Sequence, residues 1–322
     1  MNLEKTINEE YQAVSENTVQ EIKITGSKNI EHMFKIAKEH FLYEADWLNR
    51  IRKQFGNAQK DYRQIYDAIS AIWKYAPFPA QEKTHGSKRE EHTPLDEKLY
   101  TPEEITFFCI LAEEMQSDAN FHTLGFLLSA LVNYHQERTN YEGEYTIPTK
   151  HLERKICDIG YENSSNMKVI GNAGANAFLF MKKGNVYIEG DAQENFAFGF
   201  FGGNLVLNGT VQGRLGGSQT GGTIVIEKDV LGDAGRRMKG GTLIIKGGVK
   251  EDVADFMRGG VVKIYGPIDG KIASFMEGGS IYLYDENRSI STNFENGKIY
   301  QNDKIILPKW RKIFPFLKRL FP

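Results

Sequence analysis

The chain has 322 residues, 40% of them hydrophobic and 25% charged, with a formal net charge of −2 at pH 7. That is enough apolar material for a sizeable core, and the balance leaves no general basic footprint for nucleic acid, whose binding needs clustered Lys and Arg. The two cysteines, Cys109 and Cys157, make neither a disulfide framework nor a metal-type spacing. No apolar stretch is long enough to span a bilayer and the chain opens on polar and acidic residues, so a soluble, cytoplasmic protein is expected.

Residues 1–150 read as a helical domain. Ile30, Phe34, Ala37, Phe41, Ala45, Leu48 and Ile51 recur at helical spacing and give residues 29–55 one apolar face. Tyr62, Ile65, Ile69, Ile72 and Trp73 continue the pattern in a second helix that ends before Pro77. Residues 76–100, rich in Pro, Gly, Lys and Glu, read as an exposed linker or long loop. Thr101-Pro102-Glu103-Glu104 is a helix start, with a capping Thr and a Pro in the first turn. Helices over 102–116 and 120–138 should follow and form a hairpin.

Glycine pairs then recur every 19 residues, from Gly202-Gly203 through Gly221-Gly222, Gly240-Gly241 and Gly259-Gly260 to Gly278-Gly279. Lys183-Gly184 keeps the register one step earlier, and Ser164-Ser165 marks a degenerate first copy. A fixed short period means stacked units that touch only their neighbours. Counted from the second glycine, the third position reads Met167, Val186, Leu205, Ile224, Leu243, Val262, Ile281, and the fifth reads Val169, Ile188, Leu207, Ile226, Ile245, Ile264, Leu283. Apolar residues two apart face one side of a strand. The ninth position (Ala173 to Ile268) and the seventeenth (Met181 to Met276, broken by Gln219) supply further inward points.

Nineteen residues at about 3.3 Å each give roughly 60 Å of contour, one closed turn, and turns stack about 4.8 Å apart. Parallel crossovers are overwhelmingly right-handed. The expected architecture is therefore a helical N-terminal domain followed, over 151–300, by a right-handed parallel β-helix with 19-residue coils.

Two columns point outward. The second, Asn166, Asn185, Asn204, Thr223 and Thr242, reads as a hydrogen-bonded ladder at a corner. The fourth, Tyr187, Val206, Val225 and Ile244, is an apolar stripe that requires a cover. Either the chain's own helices or a protein partner, a second copy included, would supply it. The tail, 301–322, places Trp310, Phe314 and Phe316 among Lys309, Arg311, Lys312, Lys318 and Arg319. Three readings stay open for it: a cap over the open end of the solenoid, a segment lying on an anionic membrane surface, or a partner-binding peptide.

Gly232-Asp233-Ala234-Gly235, followed by Met238-Lys239-Gly240-Gly241-Thr242-Leu243-Ile244-Ile245-Lys246-Gly247, resembles a known repeat. It is similar to the glycine-rich (GXGXG) β-helix that forms the C-terminal domain of the large chain of glutamate synthase and that recurs in formylmethanofuran dehydrogenase. Phe256-Met257-Arg258-Gly259-Gly260 and Phe275-Met276-Glu277-Gly278-Gly279 fit the same pattern, whereas Lys228 and Asp285 depart from its seventh-position glycine. The resemblance implies a structural element that positions other domains or subunits, with no catalytic residue, cofactor or metal site to carry over.

The chemistry-bearing residues point the same way. All seven histidines, His32, His40, His85, His92, His122, His135 and His151, precede the repeats. Asp233 and Asp252 share a column with Arg214 and Lys271, which reads as a charge ladder more readily than as a catalytic carboxylate pair. Ser218 and Ser274 have no histidine nearby in sequence, and the pairs His40/Glu44 and Asp118/His122 fall short of a metal set. The reading that results is a non-catalytic scaffold or protein-interaction protein, in the manner of an accessory subunit of an oxidoreductase-like assembly. Its docking residues would be Tyr187, Val206, Val225, Ile244, Trp310, Phe314 and Phe316. The competing reading is a hydrolytic or metal-dependent site between helices and solenoid, using His122, His135 or His151 with Asp233 or Asp252.

Overall fold

The computed structural model describes residues 101–111, 120–285, 290–291, 296–302 and 304–306. The helices expected over 29–55 and 62–73, the linker at 76–100, and Trp310, Phe314 and Phe316 lie outside these residues. The described chain forms helices α1 (Pro102–Leu111) and α2 (Asn120–Thr139), then one ten-stranded sheet. Its strands are β1 (Glu144–Pro148), β2 (Asn166–Ile170), β3 (Asn185–Ile188), β4 (Asn204–Leu207), β5 (Thr223–Ile226), β6 (Thr242–Ile245), β7 (Val261–Ile264), β8 (Ser280–Leu283), β9 (Lys298–Gln301) and β10 (Lys304–Ile306). β1 to β9 pair in parallel and in chain order, and β10 turns back antiparallel to β9. One strand per period, stacked on its predecessor, is a parallel β-solenoid.

Two more lines of parallel bridges run up the stack. One joins Ala173, Ala192, Val211, Val230, Val249 and Ile268, and the other joins Phe196, Leu215, Ala234, Val253, Ile272 and Ile290. Each coil therefore has three sides. The expected third, fifth, ninth and seventeenth columns are buried, and the thirteenth, from Ala177 and Phe196 to Ile272, is a further inward column that the sequence pattern does not reveal. The columns compensate in volume. The coil with Ala192 at its ninth position has Phe196 and Phe200 at its thirteenth and seventeenth, and the coil with Val249 there has Val253 and Met257. Close-packed interiors require such exchanges of bulk. Gln219, which interrupts the methionines, is fully buried and donates from Nε2 to the Gly221 carbonyl at 2.9 Å and the Gly222 carbonyl at 3.2 Å.

The double glycine has a steric cause. A Cβ on Gly259 would stand 2.5 Å from the Lys239 carbonyl oxygen of the preceding coil, and one on Gly260 would stand 2.8 Å from both the Gly241 carbonyl oxygen and Met238 Cε. Gly260 also has φ +91°, a conformation in which an L side chain is strained. Gly235 differs. It is left-handed too (φ +69°), but a Cβ there would meet only Leu243 Cδ2 at 3.4 Å, Val262 Cγ2 at 3.5 Å and Met238 Sδ at 3.9 Å. Ala197, Ala254 and Ala273 occupy the same column with φ of 53°, 58° and 65°.

The solenoid begins earlier than its expected boundary at 151. β1 lies within the range assigned to the helical domain, and Glu144 pairs with Asn166 across an interval of 22 residues. Gly143 stands opposite Ser165, so the first coil carries a three-residue insertion that hides its register. Nor do α1 and α2 form a separate domain. They close the open end of the stack. Thr106 Oγ1 on α1 donates to the Thr146 carbonyl at 2.7 Å, and Cys109 Sγ donates to the Pro148 carbonyl at 3.2 Å. On α2, Ser129 Oγ accepts the Tyr161 amide at 3.1 Å, and Asn133 Nδ2 donates to the Tyr161 carbonyl at 3.0 Å. Gly125 lets α2 approach, since a Cβ there would collide with the Cys157 carbonyl. The helices thus satisfy edge groups that would otherwise invite pairing with another chain.

This packing generates two predictions. Gly259→Ala should lose about 2 kcal/mol or more through overpacking, whereas Gly235→Ala should stay within about 1 kcal/mol of wild type, as measured by urea denaturation. The second concerns His135, buried on α2 with Nδ1 2.6 Å from Tyr145 Oη. Burial holds its pKa below the ordinary imidazole value, with Glu103 opposing. The folded state thus binds this proton less readily than the unfolded chain, whose value is about 6.5. The contribution of His135 is complete above that value and is lost as pH falls below it towards the folded value. Stability should therefore drop between about pH 7.5 and pH 5.5, and His135→Gln should flatten the drop. Equal pH sensitivity in the two proteins would exclude His135 as its cause.

Candidate interaction surface

Alternation along each short strand puts one column inward and the next outward, and the constant register stacks the outward ones. Tyr187, Val206, Val225 and Ile244 pair in turn across β3 to β6. The same line continues through Lys263 and Tyr282 to Tyr300. Val206, Val225 and Ile244 are half-buried, and Tyr187 is 37% exposed. Tyr282 and Tyr300 stack with centroids 4.7 Å apart, and Lys263 Nζ lies 5.8 Å from the Tyr282 ring centre. Beside them Tyr265 and Tyr284, both exposed, stack at 4.4 Å. The stripe expected from sequence stops at Ile244 because Lys263 interrupts the apolar run, so it misses these four tyrosines. Following the fourth and sixth columns to the end of the repeat finds them.

Polar ladders border the stripe near its start. On one side Asn185 Nδ2 donates to Asn166 Oδ1 at 3.1 Å, and Asn204 Nδ2 donates to Asn185 Oδ1 at 2.9 Å, as the second column leads one to expect. On the other side lie the ion pair Lys246–Glu227 at 2.6 Å and Glu189, which meets at 3.0 Å the Lys168 that heads the stripe's own column beside Tyr187. An apolar centre with a polar rim is the anatomy of a protein interface. Among the described elements, α1 packs on β1 and α2, not along β3 to β6.

The residues of the enzymatic alternative are not brought together. His135 sits against Tyr145 in the first coil, whereas Asp233 and Asp252 lie on the fifth and sixth, about 20 Å or more along the stack. His122 belongs to α2, and His151 follows β1, so both are at the same end as His135. Asp233 Oδ1 accepts the Asp252 amide at 3.2 Å, and Asp252 Oδ1 accepts the Lys271 amide at 2.7 Å. Each carboxylate holds the next coil at a corner. Asp255, beside them, has its pKa raised by burial and then by Asp252. Burial pushes the Cys109 thiol up to about 12, so it is not a nucleophile near neutral pH. Among the described residues no three His, Cys, Asp or Glu side chains form a metal-binding group, and no helix is long and apolar enough to cross a membrane.

If Asp252 is a backbone acceptor, Asp252→Asn should keep wild-type stability while Asp252→Ala loses about 0.5–1.5 kcal/mol. Calorimetric melting of both variants checks this, and an equal loss in the two would count against the assignment.

A family model described as GXGXG motif matches residues 145–313, just over half of the chain. No curated protein matches the chain.

Proposed function

The chain belongs to the GXGXG motif family, and we propose on that premise that it is a non-catalytic scaffold that docks a protein partner on the outer face of its sheet. The observation that carries this reading is the stripe from Tyr187 to Tyr300, apolar but for Lys263, on a face that α1 and α2 leave alone. Aromatic residues with a polar border suit partner recognition, because large rings bury much area at little conformational cost. In this reading the solenoid is right-handed, as parallel crossovers require. An accessory subunit of an oxidoreductase-like assembly would use it as a rigid spacer, with the chemistry on other chains.

The test is a substitution on the stripe. Lys263 already occupies the same column, so Val225→Lys should fold with an unchanged melting temperature. It should also release a partner that co-purifies with the wild-type chain through gel filtration. A complex that survives both Val225→Lys and Tyr282→Ala would place docking elsewhere. A wild-type chain that runs alone from its own cells would reject the scaffold reading.

A further inference from the structure

On the corner opposite the sheet edge, the fifteenth column reads Leu179, Phe198, Gly217, Arg236, Asp255 and Ser274 in successive coils. Gly217 alone has no side chain, and a cleft of about 140 Å³ opens there between Phe198 and Arg236. A Cβ at Gly217 would stand 3.0 Å from Phe198 Cδ2, so the ring forms a close wall. Arg214, Arg236, Arg237 and Asp233 also line the cleft. Three guanidinium groups and one carboxylate thus line the cleft, while Glu194 and Asp255 stand behind Arg214 and Arg236.

These arginines are not equally engaged. Arg214 Nε pairs with Glu194 Oε1 at 3.2 Å. Arg236 Nη1 approaches Asp233 Oδ2 only to 3.8 Å, beyond hydrogen-bond reach. The Arg237 guanidinium carbon lies 6.0 Å from the centre of the Phe256 ring, a weak cation–π separation. Arg236 and Arg237 therefore present planar forks of N–H donors beside an exposed aromatic ring. Phosphate oxygens match that fork. The cleft has room for a tetrahedral oxyanion and part of its carrier.

We propose that this cleft binds a phosphomonoester, with its phosphate on Arg236 and Arg237 and its carrier against Phe198. Asp233 disfavours a second phosphate on its side. The site is separate from the docking stripe, because the two lie on different sides of the coil.

The test is calorimetric titration of the full chain with phenyl phosphate at low salt. Saturable binding is expected, weakened about tenfold or more by Arg236→Gln and by Arg237→Gln and reduced by added sodium chloride. Gly217→Leu should abolish binding without removing a charge. Leu179 occupies the same column, and Gly217 has no positive φ, so this variant should fold, with a modest loss of melting temperature as Phe198 gives way. Glycerol phosphate and a phosphotyrosine peptide separate a small-molecule source from a protein one, and the tighter ligand names it. Absence of saturation for all three ligands would overturn the proposal. So would binding of phenyl phosphate that Gly217→Leu and both arginine variants leave intact.

Discussion

The close approach of consecutive backbones at the double-glycine corner governs the rest of the molecule. A residue with a side chain at Gly259 would press on the Lys239 carbonyl, so glycine occupies this corner in the regular coils, and Ser164 and Lys183 stand there in the first copies of the repeat. The Val261 amide donates to the Gly241 carbonyl at 2.9 Å, and the Thr242 amide donates to the Gly222 carbonyl at 2.8 Å. Once each corner is pinned this way, a residue has little choice but to sit over its equivalent 19 positions earlier. The register of one strand pair then becomes the register of them all.

Aligned columns determine which side chains succeed. Asn over Asn satisfies itself, as Asn166, Asn185 and Asn204 do. Like charges stacked about 4.8 Å apart repel, and in several columns opposite ones meet instead, with Arg258 on Glu277 at 2.9 Å and Lys250 on Asp269 at 2.9 Å. Exposed pairs of this kind add little stability, but they discourage a slip of one coil over another. Aspartates do a different task. Asp191, Asp229 and Asp252 accept amides of the following coil at 2.7 to 2.8 Å, at corners between the regular bonded sides.

Much of this was legible in the sequence, because a strict period exposes equivalent positions directly. The inward columns with uniform Val, Ile, Leu or Met could be read off, as could the asparagine ladder. The thirteenth column could not, since it runs from Ala177 through Phe196 and Leu215 to Ala234 and shows no constant size. Its burial depends on what the other sides of the same coil contribute. β1 was hidden by its 22-residue interval, although Gly143 followed by inward Tyr145 and Ile147 carries the local signature. The role of α1 and α2 as a cap was also out of reach. Periodicity gives a helix its apolar face but not the surface it meets, which here is set by hydrogen bonds from Thr106, Cys109 and Asn133. The arginine cleft depends on a missing side chain at Gly217, one glycine among 32, and needed its neighbours in three dimensions to be noticed.

A constant register also makes the solenoid a ruler. Each coil adds about 4.8 Å and returns every column to the same side, so any two surface features are separated by a whole number of steps. Phe198 of the cleft, on the coil that begins with β3, and Tyr282 of the stripe, on β8, are held several steps apart by units that cannot stretch. Loss or gain of a complete 19-residue unit would change that separation by one step and leave the facing of both features unaltered. Length along the axis and identity of the faces are therefore independent variables in this chain, and a partner spanning two of its surfaces would in effect be counting coils.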